Sequence, residues 1–280
     1  MYIIKNMTVP NDVVELFEHM RTYPWHDDTS DEVVFAQAAR AARDIIAGDN
    51  YTCKKIFYRL GGQSGSGKTT QLLPVIGEFE ASRGNKPIII GVRTFAPYHP
   101  NYDEIVKTHP AGKVREVTNG FAFKCLMAAV KIILERGVML VLDVTIHAPR
   151  LEEYVRKNVS DNGYSANYHI FAVAKEVSNA FIEKRKVGTQ DTMDKEKGKV
   201  VLKSSIDFWY DILPKGVEYL ADSDMRSQVI IWTAFDLLPL YYGKFDGAQK
   251  ALQRGRARVE ELKYSEDQLR QAKLEWFLKT

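Results

Sequence analysis

Apolar residues recur along the chain in two alternating patterns, short continuous runs and longer stretches with helical spacing. A short apolar run bounded by turn residues is typical of a strand that is covered on both faces. These runs predict five strands, near residues 56–60, 86–92, 138–143, 168–174 and 228–233. Between them, helical spacing predicts helices over residues 69–82, 121–135, 151–162 and 177–186. The alternation predicts an α/β fold with a parallel sheet flanked by helices and with ligands at the carboxyl ends of the strands.

Helical patterns also lie on both sides of this central region. Residues 1–50 contain two apolar stripes with helical spacing, which predict an N-terminal helical preface that packs on the central domain. A binding face for a partner protein is the alternative for these helices. From Ala248 onward, charged residues surround a sparse apolar stripe, which predicts a helical hairpin on the surface. The predicted division is therefore a preface over 1–50, a central domain over 51–245 and a helical tail over 246–280.

The loop after the first predicted strand carries the clearest chemical signal. It fits the pattern G-x-x-x-x-G-K-[ST] without a mismatch and leads directly into a predicted helix. Glycines let successive backbone N–H groups point at one phosphate, and the helix start adds its positive dipole end. The predicted nucleotide-binding residues are Gly62, Gln63, Ser64, Gly65, Ser66, Gly67, Lys68, Thr69 and Thr70. Because strand, lysine, hydroxyl and helix occur together, this prediction is favoured over a surface turn rich in glycine and serine.

Two parts of this loop have expected roles toward ATP and Mg²⁺. Lys68 would reach the β- and γ-phosphates, and the Thr69 hydroxyl would bind Mg²⁺. Asp143 ends a buried apolar strand, where P-loop proteins place a carboxylate that holds Mg²⁺ directly or through water. Thr145 and His147 follow at alternating positions and would face the same cleft. A carboxylate or histidine that merely forms a turn is the alternative for Asp143 and His147.

Charge and composition narrow the class of protein. The 280 residues include 39 basic and 36 acidic side chains, a balance that does not favour nucleic-acid binding. Cys53 and Cys125 have no metal-ligand spacing and are expected to be free thiols in a reducing compartment. The sequence begins without a secretory signal pattern and contains no apolar run of the ~20 residues that span a bilayer. We therefore expect a cytoplasmic protein that does not associate with membranes.

Four motifs in order resemble the zeta-toxin family of P-loop kinases. They are GGQSGSGKTT, an apolar strand, TFAPYHPNYDEI and LDVT, and the resemblance runs from about Ile56 to Phe208. The resemblance implies a P-loop NTPase-type kinase fold with ATP and Mg²⁺ as cofactors. It also implies transfer of a phosphoryl group to a sugar hydroxyl of a nucleotide-linked small molecule such as UDP-N-acetylglucosamine. The setting implied is a toxin–antitoxin system, with an antitoxin-like protein as partner.

The resemblance assigns expected roles to individual residues. Lys68 matches the phosphate-loop lysine, and Asp143 and Thr145 stand where the family has the E and T of an EGT motif that contacts substrate. Arg185 aligns with a lid arginine that clamps ATP phosphates, and Lys199 falls where a second arginine usually lies. Lys68, Asp143 and Arg185 are thus the expected catalytic residues. The expected substrate-binding residues are Arg93, His99, Asp103, Asp143, Thr145 and His147.

The chain departs from the family pattern at the position of the general base. The family carries an aspartate just before the T-F of the third motif, and this chain has Arg93 there. An arginine is always protonated in proteins, so it cannot accept a proton. Asp143, Asp103 and His99 are the candidate replacements, and Arg93 could instead bind an anionic part of the substrate. The EGTxR pattern also loses its glycine and its arginine, the latter at His147.

These departures leave alternatives to a small-molecule kinase. One is a catalytically silenced nucleotide-binding protein that regulates a partner. The other is a polynucleotide kinase, which the near-neutral charge balance does not favour.

Overall fold

A computed structural model describes residues 8–23, 27–48, 50–146, 149–191, 203–221, 227–260 and 263–280. Six strands in these residues form one sheet in the order β2-β3-β1-β4-β5-β6. The strands are β1 (Ile56–Gly61), β2 (Ile88–Ile90), β3 (Leu140–Asp143), β4 (Ser165–Phe171), β5 (Gln228–Trp232) and β6 (Tyr241–Gly243). The first five are parallel, as the apolar runs predicted, and β6 pairs antiparallel with β5. The sequence did not predict β6, because this three-residue edge strand is only partly buried and has no continuous apolar run.

Eleven α-helices are present in the described residues. They are α1 (Asn11–Met20), α2 (Asp31–Ala47), α3 (Leu73–Ser82), α4 (Val92–Phe95), α5 (Tyr102–Thr108), α6 (Ala111–Glu135), α7 (Pro149–Asp161), α8 (Lys175–Asp191), α9 (Lys203–Ala221), α10 (Phe245–Arg256) and α11 (Glu266–Lys279). A π-helical turn (Lys68–Leu72) precedes α3, and a 3₁₀ turn (Ala96–Tyr98) follows α4. The fold class is therefore α/β, as predicted.

Successive side chains of β1 enter two different hydrophobic layers. Phe57 joins the larger cluster, which contains residues of α1, α2, α6, α7, α9 and α10. Tyr58 and Leu60 join the smaller cluster, which contains residues of α3 and Phe277 of α11. Since a strand alternates its side chains between faces, the two clusters occupy opposite faces of the sheet. This three-layer arrangement leaves the carboxyl edge of the parallel strands for ligands.

The C-terminal helices are not a surface hairpin, and that expectation was wrong. α10 contacts β5 and buries Ala248, Ala251 and Leu252 in the larger cluster. α11 contacts α3 and buries Leu269, Lys273 and Phe277 on the other face. Sparse apolar positions are sufficient because each helix lays only a narrow stripe on the sheet layer. The predicted division at residues 50 and 245 stays a prediction, but both flanking segments pack on the central layers.

α6 is longer than predicted and forms the centre of the larger cluster. It starts at Ala111, while the apolar pattern predicted a start at 121. Residues 113–135 are long and apolar enough to cross a membrane by composition, yet 78% of the relevant window is buried inside the protein. Burial by neighbouring helices therefore accounts for its apolar character. Its polar first turns, which the pattern missed, extend toward the carboxyl edge of the sheet.

Candidate nucleotide and acceptor site

The phosphate loop leaves β1 at the centre of the sheet and curls through three glycines with positive φ angles. These are Gly62 (132°), Gly65 (82°) and Gly67 (100°). At Gly65 a Cβ atom would lie 2.3 Å from the backbone oxygen of Ser178 at the start of α8. No L side chain could be accommodated there without moving the loop or the helix. The glycine spacing of the motif thus follows from both backbone conformation and close packing.

The helix after the loop begins with a π turn. The N–H of Leu73 bonds to the carbonyl of Lys68, five residues earlier. Pro74 has no N–H and cannot continue an α-helical ladder at this point, so the wider turn is followed by a new α-helical start. The N–H groups of Thr70 and Gln71 bond to the Gly67 carbonyl, so the helix starts directly after the loop, as in sites that bind phosphate at a helix N-terminus.

Buried Gln63 fixes the loop to the neighbouring strand and helix. Its Nε2 donates hydrogen bonds to the Val173 carbonyl and the Ser178 hydroxyl, both at 2.7 Å. The side chain is fully buried, so both bonds are formed away from water. The Lys68 ammonium folds over the loop and donates to the Gln63 carbonyl at 3.4 Å. The sequence marked Gln63 only as a variable position of the motif, and its anchoring role comes from the tertiary structure.

Thr69 and Asp143 meet across adjacent strands. Leu60 pairs with Asp143 in the sheet register, which brings the end of β3 beside the loop. The Thr69 hydroxyl donates to Oδ2 of Asp143 at 3.1 Å. The other carboxylate oxygen, Oδ1, is buried and has no hydrogen-bond partner among the described residues. A hydroxyl beside a carboxylate with an unused oxygen matches the oxygen ligands that Mg²⁺ takes in phosphate sites.

Buried Arg59 holds the segment after β3 in place. Its guanidinium donates to the carbonyl oxygens of Val144 and Thr145 and forms an ion pair with Glu152 at 2.6 Å. Arg59 and Glu152 both have fully buried side chains. The Thr145 hydroxyl in turn bonds to the Gly62 carbonyl. The sequence signal for this anchor is an arginine inside an apolar strand, and the apolar pattern alone did not predict its role.

A cavity of about 350 Å³ extends from the phosphate loop toward α6 and α9. It brings together nine predicted site residues, which are the loop residues Ser64–Thr69 together with Arg93, Asp143 and Thr145. Its described lining is Ser64–Thr69, Ile89–Thr94, Arg115, Asn119, Phe123, Asp143–Thr145 and Trp209. The sequence patterns did not predict Arg115, Asn119, Phe123 and Trp209 as site residues, because no local motif contains them. Arg115 and Asn119 also precede residue 121, where the helix was predicted to start.

Two predicted substrate residues lie elsewhere. His99 is not part of the described cavity lining; its ring packs on Phe121 with centroids 4.9 Å apart, and its Nε2 lies 3.7 Å from a carboxylate oxygen of Asp27. Burial lowers the pKa of His99, while Asp27 opposes that shift. Asp103 is exposed on α5 and is also absent from the described lining. The HPNY segment therefore contributes a half-buried histidine that packs on Phe121, and the start of α5.

Three further expectations concern residues that the structure describes incompletely. His147 and Lys199 lie outside the described residues. Arg185 belongs to α8, but its side chain is outside the described part. Their roles toward substrate and ATP stay predictions.

The glycine loop between β1 and its helix, at the centre of a parallel sheet with Asp143 on the adjacent strand, defines a P-loop protein of the kinase type. The model of the family described as Zeta toxin matches residues 44–243. The chain therefore belongs to the zeta toxin family, which confirms the resemblance drawn from its motifs.

Individual relatives agree with this assignment at low identity. The protein named Toxin zeta from Enterococcus hirae is 25% identical over 189 residues, which cover 68% of this chain and 64% of the relative. Toxin PezT from Streptococcus pneumoniae serotype 4 (strain ATCC BAA-334 / TIGR4) is 29% identical over 140 residues, or 50% of this chain and 53% of the relative. The matched region thus spans less than two thirds of the length of these relatives.

A solved structure from the PezAT chromosomal toxin-antitoxin system of Streptococcus pneumoniae shares the fold. The TM-score is 0.61 at 20% sequence identity, and the match covers 90% of this chain and 98% of that one. At this identity the likeness concerns the fold, and it agrees with the kinase-type sheet described above.

Proposed function

We propose that this protein is an ATP- and Mg²⁺-dependent phosphotransferase that transfers the γ-phosphoryl group to a hydroxyl of a nucleotide-linked small molecule. UDP-N-acetylglucosamine is the model for that acceptor, by analogy with the family. One observation carries the proposal: the hydroxyl of Thr69 lies 3.1 Å from the carboxylate of Asp143 at the mouth of a fully formed phosphate loop. Family membership alone would leave open whether this chain retains a competent nucleotide site.

The donor set fits a bound magnesium ion. Thr69 and Asp143 would hold Mg²⁺, which supplies charge neutralisation on the β- and γ-phosphates when bound. The Lys68 ammonium group would contact the same phosphates, and the loop N–H groups would orient these phosphates. Arg185 and Lys199 are proposed to close over the nucleotide from the segment after β4, as the family resemblance implies. These residues position and neutralise charge, which is most of what phosphoryl transfer requires.

Asp143 is also the candidate that orients the acceptor. Among the described residues that line the cavity, it is the one carboxylate. Arg93 occupies the family's base position and cannot accept a proton. A missing general base lowers the rate roughly 10² to 10⁴-fold. We therefore expect slower phosphoryl transfer than in family members that retain the aspartate. The Thr145 hydroxyl bonds to the Gly62 carbonyl of the phosphate loop. Thr145 would therefore contact the acceptor only at the edge of the cavity.

A toxin role with an antitoxin-like protein partner in the cytoplasm completes the proposal. It is supported by the relatives' names and by the toxin–antitoxin system from which the similar structure comes. Expression of the wild-type chain should slow growth, and a variant without phosphate binding should not.

The test is calorimetric titration of the purified protein with AMP-PNP, with and without Mg²⁺, followed by incubation with labelled ATP and a metabolite extract. We expect magnesium-dependent binding, and Lys68→Ala should weaken it about 10- to 100-fold because a charge-assisted phosphate contact is lost. A labelled small molecule that appears with wild type and not with Lys68→Ala supports the kinase. Tight binding without any labelled product favours the silenced nucleotide-binding protein instead. Binding unchanged by Lys68→Ala would contradict the assignment of the loop.

A further inference from the structure

Two arginines from separate elements line the same wall of the cavity. Arg93 lies on α4, directly after β2, and Arg115 lies near the start of α6. Neither position belongs to the phosphate loop. A role for them toward the acceptor rests on the proposed function, since the acceptor belongs to that reaction.

The sheet order places Arg93 on the acceptor side, and α6, which carries Arg115, contacts α4. At the carboxyl edge, β1 carries the phosphate loop, β3 carries Asp143, and β2 leads into Arg93. Neighbouring strands are about 4.8 Å apart, so β2 is about 10 Å from β1. Gly91, between β2 and Arg93, lies against the backbone of Asp143, where an added Cβ would be 3.0 Å from the carbonyl oxygen. Arg93 therefore stands beyond Asp143 as seen from the loop, on the side from which an acceptor would approach.

The two cations act on each other electrostatically. Burial lowers the pKa of Arg115 to about 10, and the positive charge of Arg93 is the second cause. Arg115 is thus still charged at neutral pH, in a partly desolvated position beside a like charge. An anion that binds beside both guanidinium groups adds opposite charge and hydrogen-bond acceptors next to them, which favours the charged form of each arginine.

The same wall offers uncharged contacts next to the arginines. Arg115, Asn119 and Phe123 follow one another at i, i+4 and i+8 on one face of α6. Trp209 of α9 packs edge-to-face on Phe123, with ring centroids 6.2 Å apart, and lines the cavity. An amide and an aromatic ring beside two arginines suit a ligand with a phosphate group and a neutral polar or ring-shaped part.

We propose that Arg93 and Arg115 together bind a phosphate group carried by the acceptor, so that the position of the family's base has become an anion-selective subsite. Arginine suits this role because its planar fork of donors matches phosphate oxygens bidentately. The acceptor class is therefore a phosphorylated or diphosphate-linked small molecule, and uncharged sugars and nucleosides are excluded.

The test uses inorganic pyrophosphate as the anion and AMP-PNP–Mg²⁺ to occupy the phosphate loop first. Pyrophosphate is titrated into this complex by calorimetry at constant ionic strength and free Mg²⁺. We expect saturable binding to wild type, and a loss of about 10- to 100-fold in affinity in Arg93→Ala and in Arg115→Ala. Arg93→Lys should lose less, because it keeps the charge but not the fork. Arg43→Ala, which removes an exposed arginine on α2, is the matched control and should bind like wild type.

The possible outcomes separate this inference from the proposed function. If AMP-PNP fails to bind wild type, the proposed function fails; pyrophosphate titrated into the nucleotide-free Lys68→Ala protein, with and without Arg93→Ala, still decides the subsite. The subsite is overturned if AMP-PNP binds to wild type and pyrophosphate does not. It is also overturned if pyrophosphate binds to both arginine variants as tightly as to wild type. Loss of AMP-PNP affinity instead of pyrophosphate affinity would place the arginines on the nucleotide and also overturn it. Thermal melting of each variant confirms that it is folded.

Discussion

The two ends of the cavity are built in different ways. At the proposed nucleotide end, the residues expected to contact phosphate belong to one continuous segment from β1 through the loop to the π turn, and buried Gln63 anchors it. At the acceptor end, Arg93, Arg115 and Trp209 come from three helices that are far apart in sequence. Backbone groups therefore form most of the nucleotide end, whereas side chains form the acceptor end. Side chains on separate helices can be exchanged without disturbing the loop, so the acceptor end is where specificity can change.

Arg59 holds the segment after β3 beside the phosphate loop, and its loss should have the largest effect. Arg59→Met leaves the Glu152 carboxylate buried without its ion-pair partner and frees the segment that carries Thr145. Breaking a buried ion pair by removing one partner costs about 3 to 5 kcal/mol. We expect the free energy of unfolding, measured by urea denaturation, to fall by that amount, with nucleotide affinity also reduced because Thr145 bonds to the phosphate loop.

The double variant Arg59→Met/Glu152→Leu is the control for this effect. It removes both charges, so much of the stability should return. If the single variant were as stable as wild type, the role of the Arg59–Glu152 pair in holding the segment after β3 would be wrong.

Gly65→Ala should break the nucleotide end alone. The new Cβ would lie 2.3 Å from the Ser178 backbone oxygen, at a φ of +82° that alanine avoids. Displacing the loop from α8 should weaken AMP-PNP–Mg²⁺ binding by at least about 100-fold, the loss of roughly two charge-assisted hydrogen bonds.

Gly77→Ala is the matched substitution for comparison. Gly77 lies in α3, where an added Cβ meets nothing within 4 Å. Nucleotide affinity should be unchanged. The free energy of unfolding should rise by up to about 1 kcal/mol, because alanine has a higher helix propensity than glycine. Equal nucleotide affinities for Gly65→Ala and wild type would refute the close-packing argument for the loop.

The smallest expected effect is on stability, depends on pH and comes from Lys273. It is fully buried on α11, with its ammonium 5.4 Å from the Trp232 ring centroid and 5.9 Å from that of Phe171. Burial lowers the pKa of Lys273 from 10.5 to about 8, although Asp236 opposes the shift. Between about pH 8 and 10.5 the unfolded chain therefore holds more protons than the folded protein. The contribution of Lys273 to stability must then rise as pH increases through this window.

Lys273→Met tests this directly. Each pKa unit corresponds to about 1.4 kcal/mol, so the variant should be more stable than wild type below pH 8 by on the order of 1 to 3 kcal/mol. The difference should shrink as the pH approaches 10.5, where the lysine is neutral in both states. Chemical denaturation of both proteins at several pH values measures it. A difference that does not vary with pH would contradict a buried, charged Lys273.

The sequence alone determined the elements that depend on local patterns. The five parallel strands followed from continuous apolar runs, and the phosphate loop followed from glycine spacing, because backbone conformation is set within a few residues. The strand-end position of Asp143 was predictable for the same reason. The family resemblance rested on motifs that are also local in the chain.

Only the tertiary structure decided which distant side chains share the cavity. Arg115 and Trp209 line it, and His99 packs on Phe121 instead, because helix packing and not spacing along the chain brings side chains together. The buried Arg59–Glu152 pair and the separation of α10 and α11 onto opposite faces arise in the same way. Local sequence patterns specify strands, helices and turns, whereas the contacts between them depend on how the whole chain fills two hydrophobic layers.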